Sequence, residues 1–164
     1  MIYALYKWNH QANISEELSS EKTPAIIALL TYTTDRIYNE LIKIQKHQYK
    51  RKRPFIVYAE PTCYKKDEAE LHDDYSYPSG HSASAWIIAL VLTELAPERT
   101  GQLIKHGFEV GQSRVICVYH WQSDVDVARP IATAFLAKLH GRQRMRLGIW
   151  STLLLKPCVN RILP

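Results

Sequence analysis

Apolar residues in this chain recur at helical intervals, and signals for β-strands are nearly absent. Ile26, Ile27, Leu30, Ile37, Leu41 and Ile44 follow Thr23-Pro24, which reads as an N-cap with proline at the first helical position. The Thr31–Thr34 cluster is expected to break or weaken this helix. Pro54 should end it near Arg53, because the residue before a proline disfavours the α region. Ser79 stands as an N-cap before Ala83–Leu95, a strong helical segment. Pro97 opens another, running through Leu103, Ile104, Phe108, Val110 and Val115. Gly107 and Gly111 lie four apart in it, share one face and allow close packing. A last helix covers about Ser123–Leu139, with Pro130 expected to kink it or start a new segment. The fold class that follows is all-α.

A chain of 164 residues suggests one domain with room for a core. Three parts are expected: a poorly patterned segment at 1–22, a helical domain at 23–140 and a tail at 141–164. Trp150, Leu153, Leu154 and Leu155 in the tail form an apolar patch that calls for a partner, with a second copy as one option. Residues 55–77 read as a long loop holding one short helix. No apolar stretch reaches the roughly 18–20 residues of a membrane span. The N-terminus lacks the pattern of a signal peptide, so the expectation is a cytoplasmic protein or a leader not carried on this chain. Cys63, Cys117 and Cys158 allow one disulfide plus a thiol, or three thiols. The net charge of +5 suits an anionic substrate, nucleic acid or a membrane surface.

Three blocks carry chemistry. The first is Lys46 to Pro54, in which Lys46 and Arg53 lie seven apart and, on a helix, project from one side. Arginine offers a planar fork to two phosphate oxygens and lysine a compact charge. Alone, the block reads sooner as a solvated basic face, and with His47 and Tyr49 it could also form a nucleic-acid stripe. The second block is Pro78-Ser79-Gly80-His81. A Ser-Gly helix start presents free N–H groups to an anion, Gly80 removes a Cβ that would block an oxyanion, and His81 is placed to protonate a leaving alcohol. The bland alternative is a capped helix with a satisfied histidine. The third block joins Ser113-Arg114 to His120 and Asp124. A carboxylate four residues from an imidazole sets the tautomer and frees the other nitrogen to attack, unless the pair is only a surface contact. His72 with Asp73 and Asp74 lacks recurring ligand spacing and is not read as a metal site.

Together the blocks, Lys-x6-Arg-Pro, Pro-Ser-Gly-His and Ser-Arg-x5-His-x3-Asp, resemble the signature of the type 2 phosphatidic acid phosphatase superfamily. Arg51 to Phe55, Tyr77 to Ser82, Gly111 to Cys117 and Tyr119 to Asp126 look closer still to the bacterial class A nonspecific acid phosphatases. The resemblance covers about residues 30–140. It implies a compact helical bundle of the acid phosphatase and vanadium haloperoxidase type, here with less N-terminal sequence than members usually have.

The implied reaction is hydrolysis of small phosphomonoesters without metal or cofactor. His120 would be the nucleophile, Asp124 its orienter and His81 the general acid; Lys46, Arg53, Ser79, Gly80 and Arg114 would hold phosphate. Periplasmic location, an acidic optimum and vanadate sensitivity are implied too, with no nucleic-acid partner. A vanadate-dependent haloperoxidase and a degenerate phosphate-binding protein are the alternatives. The resemblance also suggests a Cys63–Cys117 disulfide. Val118 stands where the class commonly has glycine, so the backbone beside His120 is expected to differ.

Overall fold

A computed structural model describes residues 18, 19 and 21–147, with side chains to 142. Helix α1, Pro24–Ile37, begins with proline in its first turn, as the sequence suggests. Thr23 does not cap it through its side chain. Its hydroxyl turns back instead, accepting from Ser19 N and donating to Ser19 O, both at 3.1 Å. The threonine cluster does not break α1, because its hydroxyls bond within the helix. Thr33 donates to the Leu29 and Leu30 carbonyls, and Thr34 to those of Leu30 and Thr31.

A π-helical turn, Tyr38–Ile42, joins α1 to α2, Lys43–Tyr49. The helix then stops earlier than Pro54 alone predicts, because Lys50 turns left-handed at φ 49°. Arg53 is extended at φ −75°, ψ 150°, as a residue before proline should be, and leads into α3, Pro54–Tyr58. The stretch expected as a long loop with one short helix holds more: α3, a 3₁₀ turn at Lys65–Asp67 and α4, Glu68–Leu71.

Helix α5, Gly80–Leu95, is the centre of the fold. Ser79 caps it as expected, its Oγ accepting from Ser82 N at 3.2 Å. Ala83, Ala85, Ile87, Ile88, Ala89, Val91 and Leu92 are all buried, so this helix is apolar on nearly every side. It packs against α1, α6 (Thr100–Ile116) and α7 (Gln122–Leu147). The two glycines on α6 explain how closely these helices approach. A Cβ on Gly107 would lie 2.8 Å from Ala89 Cβ, and one on Gly111 would lie 3.0 Å from Val125 Cγ1. Helix α7 is longer than its sequence pattern and runs on through Pro130, so no new segment starts there. Leu30, Ile37, Ile42, Ile87, Ile88, Val125 and Phe135 form the innermost core. No strand occurs among the described residues, and the fold is all-α as expected. The tail patch at Trp150 and Leu153–Leu155 lies outside the described residues.

Candidate active site

Lys46 and Arg53 meet, but not by sharing a helix face. The left-handed turn at Lys50 separates them, and both side chains then converge on one carboxylate. Asp74 Oδ2 lies 2.7 Å from Lys46 Nζ and 2.6 Å from Arg53 Nη2. Arg53 Nε also donates to the Asp74 carbonyl at 2.9 Å, and Lys46 Nζ to that of Tyr75. Both cations are buried, with 3% and 2% of their surfaces exposed. Burial first, then the Arg53 charge, pushes the Lys46 ammonium down to about 8. Burial acts to raise the Asp74 carboxyl, but Lys46 and Arg53 outweigh it and hold it below the ordinary carboxylate range.

His120 sits in the short turn between α6 and α7, and Asp124 in the first turn of α7. Asp124 Oδ2 accepts from Trp121 N at 2.8 Å, so the carboxylate also caps its own helix. It faces His120 Nδ1 at 3.4 Å and accepts from Ser76 Oγ. Asp124 Oδ1 accepts from Arg51 Nη1 at 2.9 Å. On the other edge of the ring, Arg53 Nη1 lies 3.1 Å from His120 Nε2. His120 and Asp124 are fully enclosed. Burial lowers the His120 imidazole to about 4, with Arg53 and Lys46 adding to the effect and Asp124 opposing it. Burial pushes the Asp124 carboxyl up, yet the hydrogen bonds from His120, Ser76 and Trp121 bring it below its ordinary value.

The α5 tip adjoins this pair, since Ser79 N donates to the Asp124 carbonyl at 3.0 Å. Ser79 Oγ accepts from Ser82 Oγ at 2.8 Å, which leaves its own proton for another acceptor. Gly80 has a different local reason from the one expected. A Cβ there would meet the Tyr38 ring at 3.3 Å, so glycine lets α5 start against the π-helical turn. His81 is pushed down to about 3, first by the protein around it and then by the charges of Arg114, His120, Arg53 and Lys46. Its side chain keeps an exposed surface, which offsets part of the desolvation, while the neighbouring cations act in the same direction as burial. Arg114 is held by Ser113, whose Oγ accepts from its Nε at 3.1 Å and its Nη2 at 3.0 Å. The Arg114 carbonyl in turn accepts from the amides of Tyr119 and His120.

Val118 adopts the glycine-like backbone despite its branched side chain, at φ 53°. Cys63 and Cys117 form a disulfide, tying the 55–77 stretch to the end of α6. Cys158 lies outside the described residues.

A fourth segment, marked by no motif in the sequence, lies against these blocks. Asp74, Tyr75 and Ser76 lie along Arg51–Arg53, with Ser76 N donating to the Arg51 carbonyl at 2.7 Å. They touch Lys46, Arg53, Asp124 and His120. Arg51 reaches Asp124 from outside, stacked over the Trp121 ring at 5.0 Å. Asp74 was visible only as part of an acidic run beside His72. In the structure His72 pairs with Asp73 at 3.1 Å, and Asp74 faces the clamp.

These contacts bring the His120 ring, the two cations and the α5 tip together through shared partners, and known proteins are similar in sequence to the chain that builds them. A non-specific acid phosphatase of Providencia stuartii is 46% identical over 123 residues, covering 75% of this chain and 50% of its own length. That of Salmonella typhi is 49% identical over 94 residues, covering 57% and 38%. An acid phosphatase of Zymomonas mobilis is 41% identical over 96 residues, covering 58% and 36%. The chain thus spans half or less of the length of these relatives. Residues 24–148 match the PAP2 superfamily, a stretch that takes in the whole site and every helix that positions it, and the chain belongs to that superfamily.

Proposed function

We propose that this protein hydrolyses small phosphomonoesters through a phosphohistidine on His120. The observation that carries the reading is the His120 ring, held by Asp124 at one nitrogen and facing Arg53 with the other. Arg53, Lys46 and Arg114, with the Ser79 hydroxyl and the Gly80 amide, take the phosphoryl oxygens and supply the positive charge that a metal provides elsewhere. His120 Nε2 attacks phosphorus while the P–O bond to the alcohol breaks. His81 gives its proton to the departing oxygen. His81 then takes a proton from water, whose oxygen attacks the phosphohistidine; phosphate leaves and His120 regains its lone pair.

The names of the relatives support phosphate-ester hydrolysis, and the helical domain at 23–140 is its seat. The Cys63–Cys117 disulfide favours an oxidising compartment, which supports a periplasmic location. Among the described residues no helix is long and apolar enough to cross a membrane. The test is p-nitrophenyl phosphate hydrolysis with chelator present. The expected result is turnover that chelator leaves intact and vanadate inhibits. Turnover that disappears with chelator and returns with a divalent cation contradicts the proposal.

A further inference from the structure

Two buried cations side by side repel each other and resist staying charged. The structure answers this with a residue outside the three blocks. Asp74 Oδ2 is shared by Lys46 Nζ and Arg53 Nη2, at 2.7 and 2.6 Å, and the Asp74 carbonyl takes Arg53 Nε at 2.9 Å. One residue therefore engages two edges of Arg53 and the tip of Lys46. Asp74 itself is only partly buried, with 36% of its side chain exposed, while its two partners are almost wholly enclosed. It touches the clamp and not the reacting ring.

We propose that Asp74 is a positioning residue of the clamp, whose carboxylate holds Lys46 and Arg53 side by side and keeps Lys46 charged for an incoming phosphate. The inference rests on the reading of Lys46 and Arg53 as phosphate ligands. The groups that act on Lys46 are Arg53, which lowers it, and Asp74 and Asp124, which raise it. His81 and His120 lie within reach of its charge, and both are neutral above pH 6. Tyr38 lies near Arg53 and Asp74; burial pushes its phenol above the ordinary value, so it stays uncharged. Arg53 keeps its proton throughout. Between pH 6 and 9 Lys46 is then the clamp group that titrates, and Asp74 is its closest anion.

The experiment measures inorganic phosphate affinity by calorimetry from pH 6 to 9, for the wild-type protein, Asp74→Asn and Asp74→Glu. Asparagine keeps an acceptor oxygen and loses the charge. The ratio of the Asp74→Asn dissociation constant to that of wild type should rise about tenfold across this range, the effect of roughly one unit in Lys46. The ratio for Asp74→Glu should stay flat. A ratio for Asp74→Asn that does not change with pH, with thermal melts showing a folded variant, overturns the proposal, since a merely structural role lowers affinity evenly. If Asp74→Asn does not fold, wild type carries the test: its affinity should break near pH 8, and Lys46→Arg should remove the break. Phosphate and His81 titrate in both proteins alike, so a wild-type profile that Lys46→Arg leaves unchanged overturns it. Wild-type protein that binds no phosphate at any pH sinks the clamp itself, and this inference with it.

Discussion

Arg53 Nη1 lies 3.1 Å from His120 Nε2, and an arginine N–H can only donate. Nε2 therefore carries the lone pair, and the ring proton is on Nδ1, facing Asp124. The same guanidinium that should hold a phosphoryl oxygen thus selects the tautomer that the proposed attack requires. The low His120 value of about 4 agrees, since it keeps the ring neutral through most of the acidic range.

The pH profile follows from the two histidines. His120 must be unprotonated, so kcat should fall at low pH, where the ring, lowered to about 4 in the free protein, takes up a proton. His81 must be protonated, yet in the free protein it is pushed down to about 3. A phosphate dianion among Lys46, Arg53 and Arg114 offsets their charge and raises His81. The falling limb of kcat should therefore lie above pH 5, where the free protein's His81 is neutral. His81→Ala should lose that limb. It should also slow an alkyl phosphate by about 10²–10⁴ and p-nitrophenyl phosphate much less, because nitrophenolate leaves without a proton. Equal losses on both substrates would contradict the acid role.

Asp124 is pinned by three donors besides His120: Arg51, Ser76 and the Trp121 amide. Ser76→Ala should lower kcat about tenfold with little change in KM, the effect of one buried hydrogen bond of about 1–2 kcal/mol. Asp124→Asn should cost more, because it disturbs the tautomer as well as the anchor. Kinetics at saturating substrate check both. A Ser76→Ala change confined to KM would place Ser76 in binding instead.

Val118 sits at φ 53°, where a non-glycine residue costs about 1–2 kcal/mol. Val118→Gly should leave the melting temperature unchanged or raise it, even though side-chain contacts are lost. Val115→Gly, inside α6, should lower stability by about 1 kcal/mol. Equal destabilisation by both would show that φ at Val118 carries no strain.

Much of the site was legible because its residues fall in short blocks with a local rule behind each. Ser79 caps α5, and Gly107 and Gly111 let neighbouring helices pack close, as their spacing suggests. Elsewhere residues converge by a route that spacing does not foresee. Lys46 and Arg53 come together through a left-handed turn and a shared carboxylate, neither of which helical spacing contains. Asp74, Ser76 and Arg51 were not read as site residues, because their partners lie 21 to 73 positions away and no periodicity marks such a contact. Thr23 looked like a cap and instead bonds backward to Ser19, a choice between two local hydrogen bonds that composition does not decide.

The most direct test of the account is to trap the phosphorylated protein. Brief mixing with ³²P-labelled phosphomonoester, an alkaline quench that preserves phosphohistidine, and peptide mapping should place the label on His120, and His120→Ala should neither label nor turn over. Label on another residue, or full turnover by His120→Ala, would contradict it.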